Sequence, residues 1–207
     1  MTEFVFDGPK DAPITVAFAH GAGAPIDSDF MAAVAGLLGN AGLRVARFEF
    51  PYMAARRTDG KRRPPDRMPV LLQTYRDVVA ELGPGPVVVA GKSMGGRVAS
   101  MIADEAGATG LVCFGYPFHP PGKPEKLRTE HLAALRTPAL ILQGERDPFG
   151  AKDEVGAYPL SKTISISFLT DGDHDLKPRK ASGRTREENW AEAASLAAAF
   201  ANRLVPR

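Results

Sequence analysis

Residues 86–97 read PVVVAGKSMGGR, and this stretch decides the fold. The apolar run before Gly91 predicts a strand covered on both faces, because no polar residue interrupts it. A helical pattern begins a few residues later, so the chain must turn sharply from strand to helix. The small residues Gly91, Gly95 and Gly96 permit that turn, which pushes the side chain of Ser93 outward at the carboxyl edge of a sheet. The segment therefore predicts an exposed nucleophile, Ser93, at the end of a parallel strand.

The Gly-Lys-Ser order is also found in phosphate-binding loops. Such a loop needs a glycine five positions before its Gly-Lys pair, and that position holds Pro86, with Gly85 one residue out of place. Residues 87–90 would belong to the loop, whereas their composition is typical of a strand. The phosphate-binding interpretation is therefore rejected.

Apolar runs alternate with helical patterns along the rest of the chain, which predicts βα units around a mostly parallel sheet. The predicted strands are Glu3–Phe6, Ile14–Ala19, Arg44–Phe50, Pro86–Ala90, Gly110–Phe114, Ala139–Gln143 and Thr163–Leu169. The predicted helices are Asp29–Asn40, Pro69–Leu82, Gly95–Glu105, Glu125–Leu135 and Arg186–Leu204, the last with a capping box at Thr185 and Glu188 and an apolar stripe at Ala193, Leu196, Ala197, Phe200 and Leu204. Ala54–Arg67 is interpreted as a long loop. We therefore expect a single α/β domain over residues 1–207, built as a three-layer sandwich.

Composition narrows the class of protein. The chain has 207 residues, 44% of them hydrophobic, which suffices for one full core. No apolar run is long enough to cross a bilayer, and the first residues lack the pattern of a signal peptide. The lone cysteine, Cys113, excludes an internal disulfide and suits a reducing compartment. We therefore expect a cytoplasmic protein without a membrane partner.

A serine nucleophile needs a base, and the base needs a group that orients it. When the nucleophile lies in a strand-to-helix elbow of this kind, the acid and then the histidine follow it along the chain. His174 is the histidine that follows the last predicted strand, and Asp147 comes directly after the strand before it. Glu145 and Asp153 are rival acids. The predicted catalytic residues are Ser93, Asp147 and His174.

The other three histidines fit the role of base less well. His20 precedes the elbow, His131 lies within a predicted helix, and His119 follows a middle strand, where it could line a pocket. Two further candidates for contact with a substrate are Lys92, which directly precedes Ser93, and Tyr116, which follows the same middle strand as His119.

An oxyanion formed at Ser93 needs backbone N–H donors. The first is expected from Met94, the residue after the nucleophile. The second is expected from the glycine-containing loop after the first central strand, where Gly21 and Ala22 are equal candidates.

Five segments carry a resemblance to a known family. They are His20-Gly21-Ala22-Gly23, residues 91–97, residues 114–120, residues 143–149 and residues 171–175. With these segments the chain resembles the dienelactone-hydrolase-like α/β-hydrolases, and within them a compact bacterial group related to the hydrolase-like module of a chromatin acetyltransferase subunit. The resemblance implies the α/β-hydrolase fold and the triad Ser93, Asp147 and His174. Dienelactone hydrolases proper have a cysteine at the place of Ser93, so their lactone chemistry is not carried over.

Only residues 116–137 separate the strand after the elbow helix from the next one, which leaves no room for a cap domain over the site. Basic residues crowd the loops at that edge, most densely in Ala54–Arg67, although the net charge of the chain is only +2. Two interpretations of this distribution are open. Arg62 and Arg63 bind an anionic substrate, or the arginines are ordinary solvated charges on a loop. Nucleic acid is not expected, because the basic stretch lacks interleaved aromatic residues.

These patterns together predict a serine hydrolase that cleaves a carboxylic ester or thioester of a small acyl substrate. The mechanism would pass through an acyl intermediate on Ser93 and would need no metal or organic cofactor. The alternative hypothesis is a hydrolase-like binding or scaffold module without significant turnover. The sequence does not fix the oligomeric state.

Overall fold

A computed structural model describes residues 2–205 of the chain, and its centre is a seven-stranded sheet. The strands are β1 Phe4–Asp7, β2 Thr15–Ala19, β3 Arg44–Phe48, β4 Val87–Lys92, β5 Gly110–Phe114, β6 Ala139–Gly144 and β7 Ile164–Leu169. Their order in the sheet is β1-β3-β2-β4-β5-β6-β7. β1 pairs antiparallel with β3, and the other neighbours pair in parallel. All seven predicted strands are present, and their ends differ from the prediction by at most two residues.

The helices lie on both faces of the sheet. They are α1 Asp29–Asn40, α2 Pro51–Asp59, α3 Met68–Leu82, α4 Met94–Ile102, α5 Glu130–Ala133, α6 Lys152–Val155 and α7 Arg186–Leu204, with a 3₁₀ turn at Lys180–Ser182. One apolar core forms between the sheet and the pair α1 and α7, and a second forms on the side of α3 and α4. Successive strand residues alternate between them: Val88 faces the first core, whereas Val87 and Val89 face the second. This confirms the three-layer sandwich.

The prediction of a long loop at Ala54–Arg67 was wrong for its first half. α2 runs through this segment as far as Asp59. Pro51 stands in its first turn, where the missing N–H costs nothing. Gly60 ends it in the left-handed conformation, with φ 70° and a hydrogen bond from its N–H to Arg56 O. Residues 60–67 have no regular structure.

Three predicted helical details also need correction. The helix expected at Glu125–Leu135 is reduced to the four residues of α5, because the prolines and Gly122 before it form turns. The elbow helix ends at Ile102, not at Glu105. Leu196 is 36% exposed and does not belong to the buried stripe of α7, which is made mainly of alanines. The capping box of Thr185 and Glu188 is confirmed, with the Glu188 N–H donating to Thr185 Oγ1 at 3.2 Å.

The short connection between β5 and β6 leaves the carboxyl edge of the sheet uncovered. Within residues 115–138, all of which the structure describes, the regular element is the four-residue α5. This agrees with the expectation of a fold without a cap domain. Across residues 2–205, the structure contains no helix with the length and apolar character needed to span a membrane.

The turn from β4 into α4 is sterically tight. Ser93 stands between them with φ 50° and ψ −115°, a backbone conformation that a residue with a side chain rarely adopts. A Cβ atom on Gly91 would lie 2.2 Å from the carbonyl carbon of Gly95, and one on Gly95 would lie 2.5 Å from His20 O. Both contacts would be with backbone atoms, which a change of side-chain rotamer cannot move away. The helix therefore packs against β4 and the end of β2 only because these positions are glycine.

Replacing Gly95 with alanine is expected to lower the free energy of unfolding by about 3 kcal/mol, the upper end of the usual cost of overpacking. Urea denaturation followed by circular dichroism measures this. The matched control is Gly36→Ala in the middle of α1, where an added Cβ meets nothing within 4 Å. That variant should be as stable as the wild type or more stable, by up to about 1 kcal/mol. Equal urea midpoints for the two variants would show that the elbow is not tight.

Candidate active site

Three polar side chains meet at the carboxyl edge of the sheet. Ser93 follows β4, Asp147 follows β6 and His174 follows β7. Ser93 Oγ lies 2.8 Å from His174 Nε2, and His174 Nδ1 lies 2.8 Å from Asp147 Oδ2. The carboxylate accepts from Nδ1–H, which leaves Nε2 free to accept the proton of the serine hydroxyl. The structure therefore brings together the three residues that the sequence singled out.

Asp147 is fully buried, and all its hydrogen bonds serve to orient it. Besides His174, its Oδ2 accepts from Gln143 Nε2 at 2.9 Å, and its Oδ1 accepts from the backbone N–H of Phe149 at 2.8 Å. Gln143, in β6, also donates to Gly150 O at 3.1 Å, so one amide holds both the acid and the turn that follows it. Gln143 and Phe149 were not among the predicted site residues.

The rival acids are occupied elsewhere. Glu145 accepts from Lys152 Nζ at 2.8 Å and from the backbone N–H of Asp171 at 2.9 Å. Its pKa is lowered by these two bonds, the one from Asp171 first. Asp153 is exposed in α6. Asp147 is thus the candidate acid that reaches the imidazole.

The segment that carries the histidine, residues 170–178, is called here the His174 loop. Phe149 stacks on the imidazole, with ring centroids 4.1 Å apart and planes inclined by 29°. From the other side, α7 holds the loop: Trp190 Nε1 donates to Asp175 O at 2.9 Å, and Asn189 Nδ2 donates to Leu176 O at 2.8 Å. The ring of His174 is therefore fixed by packing as well as by Asp147.

The loop of residues 20–24, called here the Gly loop, lies beside Ser93. A Cβ atom on Gly21 would lie 3.8 Å from the Cβ of Ser93. His20 is buried, and burial lowers its pKa. Its Nδ1–H donates to Gly21 O at 2.6 Å, and its Nε2 accepts from the backbone N–H of Phe50. Tyr52 Oη donates to Ala22 O at 2.9 Å. These bonds use the carbonyl groups of the loop, so they leave the N–H groups of Gly21 and Ala22 to other acceptors.

A cavity of about 350 Å³, called here the Ser93 cavity, opens at this edge. Its wall is formed by residues 21–24 of the Gly loop, by Ser28, Phe30 and Met31 around the start of α1, and by Lys92, Ser93, Phe149, His174 and Asp175. Lys92 and Asp175 supply its two opposite formal charges. Two larger cavities, of about 670 and 720 Å³, contain neither Ser93 nor His174. Among residues 2–205, no cluster of three His, Cys, Asp or Glu side chains is arranged to hold a metal ion.

Of the five predicted substrate contacts, Lys92 alone lines the Ser93 cavity. Tyr116 is a buried core residue whose hydroxyl donates to Arg128 O at 2.9 Å. His119 Nε2 lies 2.8 Å from Glu154 Oε2. Burial opposes the charge on His119, but its hydrogen bonds to Pro120 O and Glu154 outweigh this and raise its pKa.

The loop arginines are also outside the Ser93 cavity. Arg63 forms an ion pair with Asp59, the residue four positions before it, and Arg62 is exposed. Arg57 is bound by Glu49 at 2.7 Å and by Asp27 at 2.9 Å. Carboxylates thus pair with Arg57 and Arg63, two of the five arginines in Ala54–Arg67. Of the two interpretations of the basic loops, these contacts favour ordinary loop charge.

A second serine–histidine contact lies within the helical layer. Ser100 Oγ is 2.8 Å from His131 Nε2 and also donates to Arg97 O at 2.7 Å. Burial, and then the charge of Arg97, lower the pKa of His131 to about 4. Asp147 does not contact this pair, and neither of its members lines the Ser93 cavity. The pair supports the packing of α5 on α4 rather than forming a second triad.

The fold and this edge together define the class of protein. A family model described as an α/β-hydrolase domain matches residues 12–202. The match covers most of the chain, and the chain therefore belongs to the α/β-hydrolase family.

Solved structures agree with this assignment at the level of the fold. An α/β serine hydrolase without a lid from Xanthomonas campestris has a TM-score of 0.72 and 18% identity, covering 100% of this chain and 90% of that chain. Dienelactone hydrolase from Anabaena variabilis has a TM-score of 0.71 and 22% identity, covering 94% and 88%. Est1E from Butyrivibrio proteoclasticus, in its complex with ferulic acid, has a TM-score of 0.71 and 16% identity, covering 94% and 93%.

Replacing Gln143 with leucine is expected to lower the free energy of unfolding by at least about 2 kcal/mol, because buried partners such as Gly150 O and Asp147 lose their donor. Urea denaturation measures the loss. Gln73→Leu is the control: Gln73 is exposed and bonds to Asp77 at the surface, so its loss should change stability by less than about 0.5 kcal/mol. A Gln143 variant as stable as the Gln73 variant would refute the proposed support of Asp147.

Proposed function

We propose that the protein hydrolyses carboxylic esters or thioesters through an acyl intermediate on Ser93. One observation carries the proposal: an unbroken line of hydrogen bonds runs from buried Asp147 through His174 to Ser93 Oγ, and it ends in an open cavity. Such a line supplies the nucleophile, its base and the group that orients the base.

In the first half-reaction, His174 Nε2 takes the hydroxyl proton as Ser93 Oγ attacks the carbonyl carbon of the substrate. Asp147 keeps the imidazole in the correct tautomer and stabilises its positive charge. The tetrahedral intermediate collapses, the bond to the alcohol or thiol breaks, and His174 returns its proton to that leaving group. In the second half-reaction, water attacks the acyl group with the same base, which releases the acid and restores Ser93.

The negative oxygen of the intermediate is stabilised by backbone donors. The N–H of Met94 is the first of α4 and has no acceptor within its own helix. The second donor is the N–H of Gly21 or Ala22, in the Gly loop beside Ser93. Both donors belong to backbone held in place by packing, so little reorganisation is needed as the charge develops.

The Ser93 cavity indicates the class of substrate. Its wall is mostly apolar or small: Phe30, Met31, Phe149 and the glycines and alanines of the Gly loop. The ammonium group of Lys92 and the carboxylate of Asp175 lie 3.3 Å apart and offset each other. A short, uncharged acyl group fits this wall better than an anion.

Replacing Ser93 with alanine should lower the turnover of p-nitrophenyl acetate by at least about 10³-fold without unfolding the protein. A fluorophosphonate probe should label the wild type and fail to label this variant. Ser100→Ala is a matched control, because it removes the serine of the other serine–histidine contact. It should keep both labelling and turnover. A folded wild-type protein that the probe does not label would favour the alternative of a binding or scaffold module.

Neutral esters should be preferred over anionic esters of the same length, such as a butyrate over a half-succinate. The physical reason is that the two charges in the cavity offset each other and that neither Arg62 nor Arg63 lines the cavity. The values of kcat/KM for both substrates should therefore respond alike to salt, which screens exposed charges over about 10 Å. Replacing Arg62 and Arg63 together with glutamine should leave this pattern unchanged. A loss of anionic activity in that variant, enhanced at low salt, would instead restore the anionic prediction.

A further inference from the structure

Lys92 is the last residue of β4 and directly precedes Ser93. Its side chain is only 8% exposed, although a lysine is seldom buried without a partner. Its Nζ donates to the backbone carbonyl of His174 at 2.7 Å and lies 3.3 Å from Asp175 Oδ1. A third side of the ammonium group faces the ring of Phe30, whose centroid is 5.7 Å away. The charge is therefore enclosed by partners from the His174 loop and from α1.

The stem of the Lys92 side chain lies beside the Gly loop. A Cβ atom on Gly21 would make an ordinary contact of 3.6 Å with Lys92 Cγ. The ammonium end passes beside Gly115, where φ is 65° and an added Cβ would lie 2.7 Å from His174 O. One side chain thus runs from the loop of the oxyanion donors to the loop of the base.

From these contacts we infer that Lys92 is a positioning residue, which fixes the main chain of His174 relative to Ser93, and that it is not a substrate-binding group. The inference rests on the proposed hydrolase function. Trp190 and Asn189 hold the main chain at Asp175 and Leu176, whereas Lys92 holds the carbonyl of His174 itself.

The ammonium form is the one that suits the site, because a carboxylate and an aromatic face beside Nζ both attract a positive charge. Burial lowers the pKa of Lys92, and the carboxylates of Asp175, Asp147 and Asp173 oppose this effect. A hydrogen bond from a charged donor is stronger than one from a neutral amide. It therefore suits the task of fixing a loop that carries a catalytic base.

Lys92→Met keeps most of the stem and removes the ammonium group. We expect kcat to fall by about 10- to 100-fold, the loss typical of a misplacement near 1 Å, with KM changed less than about twofold. Lys92→Arg should recover part of kcat. The control is Lys162→Met, which removes an exposed ammonium group. Lys162 lies before the amino end of β7, away from the carboxyl edge that carries Ser93, so this variant should leave kcat unchanged.

A spectroscopic signal separates positioning from general stability. The Nδ1 proton of His174, shared with Asp147, should give a proton NMR resonance far downfield of the amides. In Lys92→Met this resonance should broaden through faster exchange with water, at a temperature at which circular dichroism shows the variant to be fully folded. An unchanged kcat and an unchanged resonance in the folded variant would overturn the inference, and so would a rise in KM at constant kcat.

The two proposals fail in different ways. A wild-type protein without esterase activity or labelling would refute the hydrolase function, whereas the resonance of His174 would still report whether Lys92 holds the loop. If Lys92→Met does not fold, Asp175→Asn tests the inference instead, because it removes only the charge of the exposed partner of the ammonium group. A smaller fall in kcat with faster exchange of the His174 proton would support the inference. No change in either would overturn it.

Discussion

The contact between the start of α4 and the backbone of β2 and β4 is the constraint on which the site depends. It leaves no space for a Cβ at Gly91 or Gly95 and holds Ser93 at a positive φ. Strain of this kind persists only when the surrounding structure determines it, here through buried strands on both sides of the turn. Because the serine is presented by a rigid sheet edge, the loops after β6 and β7 need only bring Asp147 and His174 to a fixed point.

Much of this arrangement could be predicted from the sequence. The glycine spacing around Ser93 has one steric cause, and the uninterrupted apolar run of residues 87–90 indicates a central parallel strand. Chain order then leaves His174 and Asp147 as the base and acid that follow later strands, and the structure places both within hydrogen-bond distance of their partners. Loops after parallel strands gather at one edge, so residues distant in sequence converge there.

The features that could not be predicted are those set by tertiary contacts. Glutamine within a strand gives no sign that its amide holds a carboxylate, so Gln143 was missed. The direction of the Lys92 side chain depends on where the His174 loop lies, which the pattern of residues does not contain. The helical turns of α2 were missed because the stretch rich in arginine and proline was interpreted as loop throughout.

Trp190 is the single tryptophan of the chain, and its indole N–H is bonded to the carbonyl of the residue after His174. The ring also packs edge-on against Phe30, a wall of the Ser93 cavity, with centroids 5.4 Å apart. Indole fluorescence depends on the polarity and mobility of its surroundings. Since no second indole contributes background, the fluorescence of Trp190 reports on the His174 loop, and it would follow the proposed acylation of Ser93 in real time without an attached dye.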